Sequence, residues 1–207
     1  MNRARLIRIL IASLLGLALA AVVAWWTVQQ DQRRGGTTAG LSVPAVSIGG
    51  PFNLVDHTGR PVTNESFAGK YRLVFFGFTN CPDICPTELQ VMGAALGELG
   101  ADAARVQPLF VTVDPERDTP QALAEYVALY HPGILGLTGS PSQVDAVVKS
   151  YRAHYAKVQQ GAGAGDYTMD HSTYTYLMGP QGEFLTVFAR GTPPAEMAQA
   201  IRTHMKG

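Results

Sequence analysis

The chain has 207 residues, 46% of them apolar, which suits one compact domain with an extension. Sixteen Lys and Arg balance sixteen Asp and Glu, so the formal charge is zero. That balance gives no basic footprint and no acidic tail, and nucleic acid is excluded as a partner.

At the N-terminus Arg3, Arg5 and Arg8 precede an uncharged stretch from Ile9 to Gln30, largely apolar through Val28. About 20 apolar positions at 1.5 Å rise span ~30 Å, the thickness of a bilayer core. Trp25 and Trp26 fall at its far end, where indole rings favour the interface. Ala18-Leu19-Ala20 resembles a signal-peptide cleavage site, but the apolar run continues past it, which favours an uncleaved anchor over 1–30. Three arginines before the run, against Arg33, Arg34 and Asp31 after it, orient the N-terminus to the cytoplasm. The globular part then lies outside the cytoplasm, in a compartment that tolerates disulfides.

Residues 31–48 are polar, Gly/Thr-rich and aperiodic, a tether. Residues 49–207 form the domain. Phe52–Asp56 and Pro61–Thr63 are expected to make a small hairpin, and Tyr71–Phe78 a buried strand. A helix is expected from Pro86, carrying Leu89, Met92, Leu96 and Leu99 at helical spacing. Val106–Val113 reads as a strand. Thr119-Pro120 opens a helix with Leu123, Val127 and Tyr130 on one face, with Thr119 as N-cap. Ile134–Leu137 reads as a short strand, and Ser140-Pro141 starts a helix with Val144, Val147, Val148 and Tyr151. Gly161–Gly165 reads as a flexible loop. Thr173–Met178 and Phe184–Phe188 are expected to pair as a hairpin, and a last helix begins near Thr192. This order predicts an α/β, thioredoxin-like fold: a mostly parallel central sheet, an antiparallel edge hairpin and flanking helices. Reactive residues belong beyond the carboxyl end of a strand, where it hands over to a helix.

That is where the only two cysteines sit, in Cys81-Pro82-Asp83-Ile84-Cys85. Pro86 disfavours helix at Cys85, which places residues 81–85 in a turn ahead of the helix. An i, i+4 pair has Cβ atoms about 5–6 Å apart in the helical limit, close enough to share an ion and near enough for a disulfide. A structural staple over so short a loop would constrain the unfolded chain little. The helix N-terminus favours thiolate, and Asp83 adds a nearby negative charge that opposes it.

Downstream, Asp166-Tyr167-Thr168-Met169-Asp170-His171-Ser172 sets His171 between aspartates and an apolar strand. Asp170 or Asp166 could orient the imidazole. Spacing alone leaves open whether His171 meets the cysteines. If it does, two thiolates and an imidazole select Cu(I), Cu(II) or Zn(II), and disfavour hard Mg and Ca. Cu(I) is satisfied by two thiolates, whereas Cu(II) wants the imidazole as well. Asp114-Pro115-Glu116-Arg117-Asp118-Thr119-Pro120 could line the same mouth, although a proline-punctuated loop before a capped helix explains most of it. The methionines are too scattered for a copper-binding cluster and read as core.

Three segments carry a resemblance: Phe78–Pro86, Val113–Pro120 and Asp166–Ser172, in that order. With them the chain, from about Gly49 to its end, resembles the Sco/SenC proteins, thioredoxin-like copper proteins of cytochrome c oxidase assembly, with no departure at the ligand positions. The resemblance implies copper held by Cys81, Cys85 and His171. It implies a partner in the dinuclear copper site of the oxidase's second subunit, and an upstream copper donor or thiol reductant. The membrane is contacted through the N-terminal helix: the bacterial inner membrane with the domain in the periplasm, or the mitochondrial inner membrane in a eukaryote.

Two functions from different classes follow. The first is a metallochaperone, a binding and transfer protein rather than an enzyme. The alternative is a thiol–disulfide oxidoreductase that cycles Cys81 and Cys85 to keep a target's cysteines reduced. Three residues between the cysteines, and a histidine with no part in disulfide exchange, favour the first. A peroxidase-like thiol enzyme is permitted by the fold alone.

Overall fold

The structure, a computed structural model, describes residues 16, 18–23, 25–26, 47–163 and 165–206. The chain divides into a unit of Met1–Val46 and a unit of Ser47–Gly207. In the first, residues 16, 18–23, 25 and 26 are helical, with Leu19, Val22, Val23, Trp25 and Trp26 exposed. The rest of the expected anchor, and the tether up to residue 46, lie outside the described residues. Among the described residues no helix is long and apolar enough to cross a membrane.

In the second unit, Tyr71–Gly77 forms β3, buried along its whole length. It pairs in parallel with β4 (Val106–Thr112), and β4 pairs in parallel with β5 (Leu135–Thr138). These strands read as continuous apolar runs because layers of structure cover both faces of the sheet. An antiparallel hairpin flanks each side. β1 (Asn53–Asp56) and β2 (Pro61–Thr63) extend the sheet beyond β5, and β8 (Thr175–Met178) and β9 (Phe184–Phe188) extend it beyond β3. The result is a seven-stranded thioredoxin-like sheet of order β2-β1-β5-β4-β3-β8-β9. The first hairpin turns on Asp56, whose carboxylate accepts hydrogen bonds from the backbone N–H groups of Thr58 and Arg60.

The helices are α1 (Ile84–Leu99), α2 (Pro120–Ala128), α3 (Pro141–Ser150) and α4 (Pro194–Lys206). α1 packs against α4 and α2 against β5. Thr119 and Ser140 cap α2 and α3 through their side chains, each with proline in the first turn. Leu89, Met92, Leu96 and Leu99, Leu123 and Val127, and Val144, Val147, Val148 and Tyr151 are all buried as their spacing requires. Tyr130 lies past the end of α2 and is half-buried.

Two expectations need correction. α1 begins at Ile84, not Pro86, so Cys85 lies inside the helix. The first N–H groups of a helix have no intrahelical acceptor, so a proline third in line removes no hydrogen bond. Its ring crowds only the carbonyl of residue 82, which lies before the helix. The carbonyl of Asp83 accepts from both Thr87 N–H and Thr87 Oγ1, which closes this first turn.

The second correction concerns the glycine-rich stretch. Residues 160–163, 165 and 166 lie in the turn of a ribbon formed by β6 (Tyr155–Gln159) and β7 (Tyr167–His171), a two-stranded antiparallel sheet separate from the main one. Tyr167 and Met169 are buried and Asp170 is exposed, an alternation with the period of a strand. His171 ends the ribbon.

Candidate metal centre

β3 ends at Gly77, and the chain turns through Phe78–Asp83 into α1. Cys81 N–H donates to the carbonyl of Phe78 at 3.3 Å, which folds the turn back on itself. Cys81 is half-buried and Cys85 fully buried, and both are free. The backbone N–H of Cys85 donates to Cys81 Sγ at 3.4 Å. Cys85 Sγ stands 3.5 Å from His171 Nε2. The two sulfurs and the imidazole nitrogen all lie within 4.8 Å of one another, so the fold brings together all three residues singled out in the sequence. A cleft of about 260 Å³ opens on Cys81 and His171, lined also by Ile84, Met169 and Thr173, with Cys85 buried behind it.

Neither aspartate orients the imidazole. His171 Nδ1 lies 3.0 Å from the carbonyl of Ser172. A carbonyl only accepts, so the proton sits on Nδ1 and the Nε2 lone pair faces the sulfurs. Asp166 is engaged elsewhere, accepting from Gly163 N–H in the ribbon turn, and Asp170 faces solvent. β7's alternation turns 167, 169 and 171 to one face, and 166 and 170 to the other. Phe75 and Phe78 meet the imidazole edge-on at 6.1 and 5.7 Å between centroids, which fixes the ring plane.

The thiols are unequal. The Cys85 side chain donates to Cys81 and holds it far below the ordinary thiol range, at about 3, against the opposing pull of burial. The backbone N–H groups of Cys85 and Asp83 act in the same direction. Asp83 thus helps the thiolate through its backbone, where its side-chain charge was expected to oppose it. Cys85 is pushed up, first by the hydrogen bond to Cys81 and then by burial. The geometry favours one thiolate in the half-open position and one thiol behind it.

Gly77 makes room for Cys85. A Cβ at residue 77 would stand 2.8 Å from Cys85 Sγ and 2.7 Å from Phe110 Cε2. Neither neighbour can retreat, since both are fully buried. Gly77→Ala is expected to destabilise the domain by about 1–3 kcal/mol, the usual cost of overpacking a core. Urea denaturation of the reduced protein would read this, and an unchanged midpoint would show that Cys85 is seated less tightly than described.

The loop after β4 contributes more than its sequence suggested. Asp118 is fully buried; it accepts from Thr79 N–H, Thr79 Oγ1 and Thr112 Oγ1, and so pins the start of the cysteine turn. Burial raises its own affinity for a proton. Asp114 Oδ1 accepts from the Tyr167 hydroxyl at 2.9 Å, and its other oxygen receives Arg117 Nε. The Arg117 guanidinium lies 3.8 Å over the Tyr167 ring and donates to the Tyr167 carbonyl at 3.0 Å. A dense run of charges directly after the buried strand β4 was the available signal for these contacts. Glu88, one turn beyond Cys85, is buried and accepts from Gly191 N–H, fixing α1 to the approach of α4. The other histidines stand apart from this group: His57 and His131 accept backbone N–H groups from Gly136 and Gly133.

Comparison with known proteins gives a family model, SCO1/SenC, that matches residues 42–206. The human mitochondrial protein SCO1 homolog is 42% identical over 161 residues, covering 77% of this chain and 53% of its own length. The chain therefore spans about half of that relative. The structure of Bradyrhizobium japonicum ScoI with copper bound is similar at 43% identity and a TM-score of 0.70, covering 75% of this chain and 98% of the other. BsSco, a member of the Sco family of cytochrome c oxidase assembly proteins in which a disulfide switch was identified, is similar at 28% identity and a TM-score of 0.62, covering 79% of this chain and 96% of its own.

Proposed function

The chain belongs to the SCO1/SenC family, and we propose that it is a copper-binding assembly protein that carries copper as its cargo to the dinuclear copper site of cytochrome c oxidase subunit II. The observation that carries this reading is the convergence of Cys81 Sγ, Cys85 Sγ and His171 Nε2 within 4.8 Å of one another, with Cys81 and His171 lining an open cleft. The donor set fits the metal. Sulfur ligands select soft ions, and the imidazole offers a free lone pair because its other nitrogen is engaged by Ser172. Two sulfurs would hold Cu(I), and the imidazole would complete the set for Cu(II). The half-buried position of Cys81 leaves that ligand within reach of a target's cysteines. The copper-bound relative and the oxidase-assembly relative support the metal and the pathway.

The reading includes an N-terminal anchor over 1–30 and a tether over 31–48, which hold the domain at a membrane on the side away from the cytoplasm. The length of the apolar run and the arginine asymmetry support it. The test is a competitive titration of the reduced full-length chain with Cu(I) and with Cu(II). Roughly equimolar binding in both states, abolished in a Cys81→Ser, Cys85→Ser double variant, is expected. Equal binding by the double variant would overturn the reading.

A second reading, thiol–disulfide exchange on the target's cysteines, is favoured by one observation: the lowered pKa and half-open position of Cys81, the properties of an attacking thiolate. In that cycle the Cys81 thiolate attacks the target disulfide to form a mixed disulfide. Cys85 then displaces the reduced target, and the pair leaves as Cys81–Cys85 disulfide, to be reduced by an upstream thiol donor. Reduction of a target disulfide at a rate indifferent to His171→Ala would favour this reading over copper delivery.

A further inference from the structure

His171 reaches the sulfurs from a ribbon that the main sheet does not hold. β6 and β7 pair only with each other among the described residues. A lone two-stranded ribbon is marginal in water and takes its position from whatever it is packed against. At its His171 end, Ser172 N–H donates to the His154 carbonyl and His154 N–H to Ser172 Oγ. Those bonds tie together the two chain ends of the ribbon, and on the cysteine side His171 packs edge-on against Phe75 and Phe78 with β8 following at Thr175.

A second tie to the body is at the other end. β7 lays Tyr167, Met169 and His171 on one face, and Tyr167 is four residues, or about 13 Å of strand, from His171. The Tyr167 hydroxyl enters the loop after β4 and donates to Asp114, while Arg117 stacks on the ring and donates to the backbone carbonyl. Lys157 of β6 lies 4.2 Å over the same ring and pairs with Glu116 of the same loop at 2.9 Å. Arg117 is itself held by Asp114, and its Nη2 is buried without a hydrogen-bond partner. The guanidinium faces the Phe78 ring at 6.0 Å as well as the Tyr167 ring. Two more bonds complete the arrangement: Asp118, next to Arg117 in sequence, grips Thr79 two residues before Cys81.

We propose that Arg117 is a positioning residue for His171: through Tyr167 it sets the ribbon, and the loop 114–118 thereby fixes the imidazole's distance from the sulfurs it also helps to place. The inference rests on the copper-binding reading and assigns to it the element that controls the third ligand. Loss of the Arg117–Tyr167 contact releases the far end of the ribbon and leaves the imidazole held only by Phe75, Phe78 and the chain into β8, while the cysteine turn, pinned by Asp118, stays.

The test is a double-mutant cycle on the full-length chain, with Cu(II) and Cu(I) as probes in separate competitive titrations. Arg117→Met keeps the aliphatic stem and removes the cation and its donors. It is expected to weaken Cu(II) binding about 10- to 100-fold, the usual cost of losing a group that orients a ligand. Cu(I) affinity should stay within about twofold. In a His171→Ala background, Arg117→Met should cost nothing further, again within about twofold, because its effect passes through the imidazole. Tyr167→Phe, which removes only the bond to Asp114, should give a smaller loss with the same dependence on His171. It serves as the readout if Arg117→Met does not fold.

The proposal is overturned if Arg117→Met leaves Cu(II) affinity unchanged, if Cu(I) affinity falls in parallel, or if the loss is the same with and without His171. These results are distinct from failure of the copper reading, which would appear as wild-type Cu(II) affinity unaltered by His171→Ala itself.

Discussion

Replacing His171 by alanine is expected to cost more than about 100-fold in Cu(II) affinity, beyond the range for a merely orienting group, and to leave Cu(I) binding largely intact. The asymmetry follows from the ligand set. Cu(I) is content with two sulfurs, and Cys81 and Cys85 are placed by a turn and a helix that do not include the ribbon. Cu(II) wants more donors, and the third within reach is Nε2, 3.5 Å from Cys85 Sγ. The thiolate-to-copper absorption of the Cu(II) form should collapse while a thiol titration still finds both cysteines reduced. Removing the ring also opens the space against Phe75 and Phe78, so a modest fall in stability is expected alongside. Unchanged affinity in both oxidation states would remove His171 from the site and leave a two-sulfur Cu(I) protein.

How far this site could be read from the sequence depended on which interactions are local. The strand, turn and helix around the cysteines declare themselves within a short stretch, because burial on both faces of β3 forces the apolar run Leu73–Phe76 and Pro86 marks a helix opening. The helix start itself was misplaced by two residues. The rule that disfavours helix before proline is a preference, and the closing bonds of Thr87 to Asp83 outweigh it.

The ribbon was missed for a different reason. β6 is half-buried to exposed along its length and carries no apolar pattern, and glycines conceal the turn. The alternation of Tyr167, Met169 and His171 was present, but at five residues it was too short to separate from a loop. Least legible were Thr79, Asp114, Arg117, Asp118 and Tyr167. Their bonds join segments 39 to 53 residues apart, a pairing that only the folded sheet creates. The aspartates beside His171 misled the reading because sequence neighbours on a strand point to opposite faces, and a backbone carbonyl took the role assigned to them.

Alkylation of Cys81 is expected to proceed at a nearly constant rate from pH 5 to pH 8, with Cys85 unmodified. The thiolate of Cys81 forms above about pH 3, so its population does not change over that interval. An ordinary thiol, with a pKa of about 8.5, would gain about 1,000-fold in thiolate from pH 5 to pH 8, and its rate would follow. The stabilised anion is also a weaker nucleophile, by some hundreds-fold for a pKa roughly six units lower and a Brønsted slope of about 0.4–0.5. The balance makes Cys81 about tenfold faster than an ordinary thiol at pH 5, and tens of fold slower at pH 8. Cys85→Ala removes the side-chain donor that contributes most to holding the anion. In that variant the rate should again rise with pH, and a rise of about tenfold per unit in the wild type would show that the hydrogen bonds from Cys85 do not hold the charge. Mass measurement of the modified peptides separates the two cysteines. A thiolate that persists through this range lets a soft metal bind without first displacing a proton at Cys81. Only the second sulfur, raised by burial and by its bond to the first, must then lose one. Copper uptake should accordingly release about one proton per ion rather than two across the same interval.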